Sequence, residues 1–438
     1  MAGGPDRASE AISTGVVEVD EFLVAGLTWD AGQRLGVGTD IRMRVREDRG
    51  WSQWLDVEPD AAADRGARAG TEPFVTGGAD AVQVVVTGSS ADLPAELELN
   101  LISPADEGTS TTSSSATSSA ASVAEASPAI VDTPAGVVHT RADWGLTAAE
   151  EQFTSAHWVS EFFALQAAVL HHTAGTNSYT SGQSAGVVHS IWVYHAQSLG
   201  WGDIGYNFLV DKYGQTFEGR RNSLPQSGDY SVPTDVPATH SVEAGHAYGY
   251  NKGTLGISAM GDYTQKTRLA DPLLVVEPIS QLIAWKFDSA GLSVVDAGSA
   301  RVLTELISPG TYATYPAGTP LPRIFVHRDV YATACPGSIA DAAIINRIYD
   351  RVVALGQSAV RIDLTVASHI SGKQKYADLS WAGTTASMDV YRNSVVIATT
   401  TTGTTSYTDQ VAAKVRTATY QVCETKTTNC SDSVTLTW

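Results

Sequence analysis

A tract of Ser, Thr and Ala residues divides this chain of 438 residues and constrains its fold more than any other feature. The tract runs from Gly108 to Ser127, contains no aromatic residue and has no repeat period. Such a segment cannot bury enough apolar surface to offset the conformational entropy that ordering it would cost. We therefore predict a flexible linker over residues 105–133, with separate domains before and after it.

The two ends of the chain have the pattern of β-structure. In residues 1–104, short apolar stretches such as DIRMRVRE and AVQVVVTG recur at strand spacing, which is typical of an all-β sandwich. The same spacing returns in residues 358–438, where we predict a fibronectin type III-like or immunoglobulin-like sandwich. Cys423 and Cys430 flank a polar turn in this last segment, which predicts a hairpin disulfide and an oxidising compartment.

Residues 134–357 mix helical and strand periodicities. Val187, Ile191 and Tyr194 fall on one stripe at helical spacing, whereas the apolar run 167–170 is typical of a buried strand. We therefore predict a multidomain protein in which a central α/β domain is flanked by two all-β sandwich-like domains.

The charge balance excludes some classes of partner. A formal net charge of −19 argues against nucleic acid or an anionic membrane, because both need clustered Lys and Arg. No uninterrupted apolar run is long enough for a transmembrane helix, and the first ten residues lack the apolar core of a signal peptide. The chain is therefore either cytosolic or has lost an export signal, and the predicted disulfide favours export.

Three residues in the central domain have the chemistry of a zinc site. His171 ends the apolar run 167–170, His327 follows the run 324–326, and Cys335 comes eight residues later. Two imidazoles and one thiolate hold zinc with three protein ligands and leave the fourth position open for water. A single histidine at a strand end is more often an ordinary polar residue, so spacing alone leaves this site open. His172 points to the opposite face of the strand, which predicts a structural role.

Several motifs in the same order make the central domain resemble a known superfamily. They are RADWG at 141–145, HHTAG at 171–175, GHAYGYN at 245–251 and HRDVYATACPG at 327–337. Together they resemble the peptidoglycan recognition protein and type 2 N-acetylmuramoyl-L-alanine amidase superfamily, over roughly Arg141 to Leu355 but not over the flanking modules. The resemblance implies a mixed sheet with helices packed on it.

The resemblance also implies roles for individual residues. His171, His327 and Cys335 match the ligands of one catalytic Zn²⁺. Tyr206 matches a tyrosine whose hydroxyl lies beside the metal and helps to orient the water or to stabilise the tetrahedral oxyanion. Thr333 occupies a position close to that oxyanion. Some relatives carry a carboxylate base where this chain has Ser258. Since a serine hydroxyl takes no proton at neutral pH, the sequence leaves the general base unassigned.

A further set of residues matches positions in the family's substrate groove. Packing of the groove wall explains this set at least as well as substrate binding does. The set consists of His172, Trp201, Arg220, His246 and Asn251.

The resemblance implies hydrolysis of the amide between N-acetylmuramic acid and L-alanine in peptidoglycan, by an exported or cell-envelope enzyme acting as an autolysin or endolysin. We expect a monomer, with the outer modules anchoring the enzyme or delivering substrate. Two alternatives stay open: a non-catalytic peptidoglycan-binding receptor or scaffold, and a zinc endopeptidase that cuts a peptide bond of the stem. Receptors of this fold commonly lack the zinc cysteine, whereas this chain retains Cys335.

Overall fold

The computed structural model describes most of the chain, and the chain divides into two compact units, Met1–Arg351 and Val352–Trp438. The described residues are 9–33, 35, 38–60, 66, 68–89, 93–94, 96–103, 131–227, 230–231, 235–264, 270–295, 303–304, 320–358, 362–382, 387–393, 395–425, 431 and 433–438. Most of the predicted linker, residues 105–130, lies outside this set.

The N-terminal module of the first unit is all-β. Its strands are β1 Ser9–Ser13, β2 Val17–Asp30, β3 Asp40–Glu47, β4 Gly50–Trp51, β5 Leu55–Asp56, β6 Pro59–Asp60, β7 Arg68–Thr71, β8 Phe74–Ser89 and β9 Glu98–Ile102. The long strand β8 pairs with β1, β2 and β3, and the side chains buried between the strands include Phe22, Trp29 and Phe74.

The central domain is built on one mixed sheet of seven strands. The strands in this part of the chain are β10 Val131–Thr133, β11 Gly136–His139, β12 Phe162–Ala164, β13 Ala167–His172, β14 Ala174–Gly175, β15 Phe208–Val210, β16 Thr216–Glu218, β17 Gln226–Ser227, β18 Tyr230–Ser231, β19 His240–Val242, β20 Thr254–Ala259, β21 Leu303–Thr304, β22 Leu321–Pro322 and β23 Ile324–Val326. Three two-stranded sheets lie beside the large one, and β14 joins the sheet of the N-terminal module instead. The order in the large sheet is β10-β11-β16-β15-β20-β13-β23, and β15, β20, β13 and β23 run parallel.

Helices surround this sheet. They are α1 Ala148–His157, α2 Ser184–Val193, a π-helical turn Tyr194–Ser198, α3 Pro272–Ser289, α4 His327–Val330, a 3-10 turn Gly337–Ala340 and α5 Ala342–Ser358. The sequence fixes where α1 begins, because the side chains of Thr147 and Glu150 cap each other's backbone in a capping box. The predicted multidomain α/β fold is confirmed.

The N-terminal module and the central domain share secondary structure, which the sequence did not predict. Strand β14 pairs in parallel with β8, with Ala174 opposite Phe74. The hydroxyl of Tyr194 donates to the carbonyl of Leu27 at 3.0 Å, and its ring fits only because Gly26 has no side chain: a Cβ there would lie 2.2 Å from it. The module is therefore packed against the central domain rather than only tethered to it.

The second unit is a sandwich of two antiparallel sheets. Its strands are β24 Asp363–Ser371, β25 Gln374–Ala382, β26 Met388–Arg392, β27 Val395–Thr399, β28 Ser406–Val411, β29 Thr417–Glu424 and β30 Val434–Thr437. Trp381 from one sheet and Tyr420 from the other meet in its core, and the Tyr420 hydroxyl donates to Asp409 at 2.7 Å. Cys423 is disulfide-bonded, while Cys430 lies outside the described residues. The likeness to fibronectin type III stays a prediction.

Among the described residues, no helix has both the length and the apolar character that crossing a membrane requires.

Candidate metal centre

Parallel pairing of two strands brings the two predicted histidine ligands together. Strands β13 and β23 are neighbours, with Leu170 opposite Val326. His171 and His327 each follow directly along the chain, so both imidazoles emerge at the carboxyl edge of the sheet, and their ring centroids are 4.5 Å apart.

Cys335 reaches the same point from the loop after α4. The guanidinium of Arg328 donates to the carbonyl oxygens of Ala334 and Gly337 and so fixes this loop. The backbone N–H of His172 donates to the Cys335 Sγ at 3.3 Å. The thiol therefore occupies a defined position beside the strand that carries His171.

The three side chains form a compact group suited to a metal ion. One ligand atom from each of His171, His327 and Cys335 lies within 4.8 Å of the others, and each residue is only 1% exposed. Neither ring nitrogen of His327 has a hydrogen-bond partner among the described residues, although both are buried. An unpartnered buried imidazole is costly, and an ion coordinated by one ring nitrogen would lower that cost. The donor set of two imidazoles and one thiol fits zinc.

The surroundings keep both imidazoles in the form that binds metal. Burial lowers the pKa of His171 well below its usual value and lowers the pKa of His327 to about 4, so both rings are neutral near pH 7. Burial raises the pKa of the Cys335 thiol, and the nearby Glu72 adds to this effect.

His246 orients one of the ligands. Its Nδ1 lies 3.1 Å from Nε2 of His171, which leaves Nδ1 of His171 on the side of the Cys335 sulfur, 3.9 Å away. The backbone N–H of His246 donates to the Asn251 side-chain oxygen at 2.8 Å. His246 and Asn251, expected in the substrate groove, therefore support the metal ligand, as is usual for metal-bound histidines.

Carboxylates of the N-terminal module contact both predicted oxyanion donors. The hydroxyl of Tyr206 donates to Glu72 at 2.9 Å, and the hydroxyl of Thr333 donates to Glu58. Burial raises the pKa of Glu72 well above its usual value, the charge of Asp60 adds to the rise, and the Tyr206 hydrogen bond opposes it. These contacts could not be predicted from the sequence, because Glu58 and Glu72 lie outside the motifs that carry the resemblance.

Ser258 lies next to one of the candidate ligands in the sheet. It is opposite His171 on β20, and its buried hydroxyl has no hydrogen-bond partner among the described residues. The expectation that Ser258 is not a base stays a prediction.

Comparison with known proteins agrees with the motifs. Residues 163–338 match the family described as N-acetylmuramoyl-L-alanine amidase. Peptidoglycan-recognition protein SC1a/b of Drosophila simulans is 28% identical over 202 residues, which are 46% of this chain and 80% of that protein. Because residues 163–338 match this family, we call the central domain the amidase-family domain. The resemblance identified from the sequence is confirmed.

Further similarities extend the comparison of the amidase-family domain and its neighbour. Peptidoglycan recognition protein 1 of Bos taurus is 30% identical over 170 residues, or 39% of this chain and 65% of that protein. The solved structure of Drosophila PGRP-LB aligns with a TM-score of 0.30 at 21% identity, covering 47% of this chain and 93% of that one. Residues 4–124 match a second family, described as Rv3811 N-terminal galactose-binding domain-like.

Arg220 cannot take the substrate-binding role that the sequence suggested. Its side chain is fully buried, and its guanidinium pairs with Asp203 at 2.7 Å. Asp203 also pairs with the buried Arg141 at 2.9 Å. Arg141 pairs in turn with Glu151 at 2.6 Å. Because the buried guanidinium of Arg220 is already occupied by Asp203 within this network, it is not available to a substrate carboxylate.

The two remaining groove candidates have different surroundings. Trp201 is 4% exposed and stacks on His195 with ring centroids 4.6 Å apart, which is a packing contact. His172 accepts a hydrogen bond from the backbone of Tyr263 at 3.1 Å, and burial lowers its pKa to about 3.

A cavity of about 130 Å³ has His172 and Ala334, the chain neighbours of His171 and Cys335, in its lining. The three candidate ligands themselves are not among the residues that line it. Both the N-terminal module and the amidase-family domain contribute to its wall. The carboxylates in the lining are Asp56, Glu58, Glu72 and Asp262.

Proposed function

We propose that the amidase-family domain hydrolyses the amide bond between N-acetylmuramic acid and L-alanine in bacterial peptidoglycan. The observation that carries the proposal is the buried group of His171, His327 and Cys335 at the carboxyl edge of the sheet. All three residues lie within residues 163–338, which match the amidase family. A receptor that only binds peptidoglycan has no need of such a group.

His171, His327 and Cys335 would hold one zinc ion. When bound, zinc supplies Lewis acidity, which polarises a carbonyl group and lowers the pKa of water, so that a nucleophilic hydroxide is available near neutral pH. Three protein ligands are one fewer than a structural zinc site uses. The ligand set therefore favours a catalytic ion over a purely structural one.

Tyr206 and Thr333 supply hydroxyl donors next to the ligands. Negative charge develops on the former carbonyl oxygen during amide hydrolysis, and a donor aimed at that oxygen stabilises the transition state more than the ground state. Tyr206 donates to Glu72 and Thr333 to Glu58. Each hydroxyl must therefore exchange its carboxylate acceptor for the substrate oxygen during the reaction.

We propose the cellular location of the enzyme from the location of its substrate. Peptidoglycan lies outside the cytoplasmic membrane, so the enzyme acts as an exported protein of the cell envelope. The disulfide-bonded Cys423 in the second unit supports an oxidising environment.

The experiment is digestion of purified sacculi and of soluble muropeptides by the zinc-loaded protein, with products analysed by mass spectrometry. We expect whole stems with a free L-alanine amino terminus and intact sugar strands. Fragments cut within the stem would instead identify an endopeptidase, and binding without products would identify a receptor.

Two variants serve as a matched pair in this assay. His327→Asn should abolish product release, because it removes a ligand. His157→Asn changes an exposed histidine on α1 and should retain parental activity. Equal activity of His327→Asn and the parent would contradict the proposed centre.

A further inference from the structure

The N-terminal module presents one buried carboxylate directly to the candidate centre. Glu72 lies between β7 and β8, is 5% exposed, and accepts the hydroxyl of Tyr206 at 2.9 Å. Its backbone N–H donates to the carbonyl of Glu58 at 2.9 Å, which fixes the position of the Glu72 backbone between β7 and β8. No cation among the described residues pairs with this carboxylate, and a buried carboxylate without such a partner is expensive, so its retention at this point calls for an explanation.

Pairing between strands fixes Glu72 relative to the metal ligands. Phe74, two residues after Glu72, lies opposite Ala174, three residues after His171. The backbone N–H of Ala174 also donates to the carbonyl of Pro73 at 3.1 Å. The backbone that carries Glu72 is thus hydrogen-bonded to the backbone that follows His171. This pairing restricts where the carboxylate can lie, as proton transfer requires.

The cavity of about 130 Å³ gives Glu72 access to a reactant. Glu72 lines this cavity together with His172 and Ala334, the chain neighbours of two candidate ligands. Glu72 is not part of the group formed by His171, His327 and Cys335, and it reaches the site through its hydrogen bond with Tyr206. A carboxylate in the wall of a cavity can contact a water molecule that enters it.

Ser258, opposite His171 on β20, offers a hydroxyl and no carboxylate. Asp262 is the carboxylate that the amidase-family domain contributes to the cavity lining, but the carboxylate hydrogen-bonded to Tyr206 is Glu72. We propose that Glu72 of the N-terminal module is the proton-transfer residue of the amidase, so that the two modules build one active site. This inference rests on the proposed function.

Glu72 takes a proton from the attacking water while the oxygen of that water bonds to the amide carbon. As the carbon–nitrogen bond breaks, Glu72 returns the proton to the nitrogen, which leaves as the amine of L-alanine. The other product is the carboxylic acid of the muramic acid, and Glu72 ends in its starting state.

The charges that face Glu72 suit this role. Burial raises its pKa well above the usual value, and Asp60 and Glu58 raise it further, while the Tyr206 hydroxyl lowers it. A carboxylate with a raised pKa is a stronger base near neutral pH than an exposed one.

The test compares Glu72→Gln and Glu72→Asp with the parent and with Glu18→Gln, a control at an exposed carboxylate of the same module. Each protein is assayed for kcat and KM on a soluble muropeptide and for zinc content. Binding of the same muropeptide to the zinc-free protein is measured by calorimetry, and folding by urea unfolding.

We expect kcat of Glu72→Gln to fall about 100-fold to 10,000-fold, the usual contribution of general acid–base catalysis. KM, zinc content and binding to the zinc-free protein should stay within about threefold of the parent. Glu72→Asp keeps a carboxylate and should recover at least tenfold of the lost kcat. Glu18→Gln should match the parent.

Four results would overturn the inference while the parent remains an active amidase. They are unchanged kcat in Glu72→Gln, increased kcat with tighter muropeptide binding, loss of zinc, and equal kcat in the Asp and Gln variants. The second would identify Glu72 as an inhibitory contact. If Glu72→Gln does not fold, a folded Glu72→Asp decides alone: a tenfold fall in kcat with unchanged binding supports the inference, and parental kcat overturns it. An inactive parent would instead overturn the proposed function.

Discussion

Removal of the Tyr206 hydroxyl separates two effects that the structure assigns to it. Tyr206 is 2% exposed, and its hydroxyl donates to Glu72 at 2.9 Å. Tyr206→Phe keeps the ring and leaves one buried carboxylate oxygen without its donor. Loss of a partner from a buried polar group costs about 1–3 kcal/mol, so the free energy of unfolding should fall by that amount.

The effect on turnover should be larger than the effect on stability. Loss of a single oxyanion donor typically costs about 2.7–4 kcal/mol in the transition state, which is about 100-fold to 1000-fold in kcat. The assay is release of amino groups from a soluble muropeptide at saturating substrate, with urea unfolding of the same samples.

The two measurements together refute or support the assignment. A variant that loses stability but keeps kcat within threefold of the parent would show that the hydroxyl only anchors the N-terminal module. A matched control is Tyr213→Phe, because Tyr213 is 48% exposed and its hydroxyl contacts only a backbone carbonyl, at 3.0 Å.

Three further predictions follow from the buried polar groups. Asp203→Asn leaves two buried guanidinium groups without their shared carboxylate and should lower the free energy of unfolding, measured in urea, by about 3–5 kcal/mol. The control Asp80→Asn changes an exposed carboxylate and should leave the unfolding midpoint unchanged. Equal midpoints for the two variants would contradict the buried ion-pair cluster. His246→Phe removes the hydrogen bond to His171 and should weaken zinc binding about 10-fold to 100-fold in a chelator competition, and unchanged affinity would exclude the positioning role. Burial lowers the pKa of five described histidines below the usual 6.5, so the unfolded chain binds more protons below that pH and stability is lost as the pH falls. The five are His171, lowered well below its usual value, His172, His195 and His246, each to about 3, and His327, to about 4. The metal-free protein should lose about 1.4 kcal/mol per pH unit for each of these histidines between pH 6 and 5, less the opposing contribution of Glu72, Asp211 and Asp262, whose pKa is raised; a net slope below one proton in urea titrations would refute this.

The central part of the site could be predicted because its ligands stand at ends of recognisable strands. His171 and His327 each follow an apolar run, and parallel neighbouring strands place their carboxyl ends at one edge of a sheet. Cys335 became a candidate from its spacing and from the family motifs around it. The prediction of a mixed central sheet between β-rich modules was confirmed for the same reason: each periodicity reflects burial on one or both faces.

Contacts over long sequence distances could not be predicted in this way. Glu72 and Tyr206 are separated by 134 residues, and no local pattern in the N-terminal module indicates that it faces the centre. Arg220 was named as a candidate for substrate binding. The sequence does not show which carboxylate an arginine pairs with, and only the folded structure identifies the buried Asp203 as its partner. The pairing of β8 with β14 involves two residues of the central domain, too few to form a recognisable strand pattern.

X-ray absorption spectroscopy at the zinc edge of the purified, zinc-loaded chain tests the central claim most directly. With His171, His327 and Cys335 as ligands, the spectrum should fit one sulfur at about 2.3 Å and nitrogen or oxygen neighbours at about 2.0–2.1 Å, at one zinc per chain. Cys335→Ser should lose the sulfur shell. Zinc without a sulfur neighbour in the parent, or no stoichiometric zinc at all, would contradict the account.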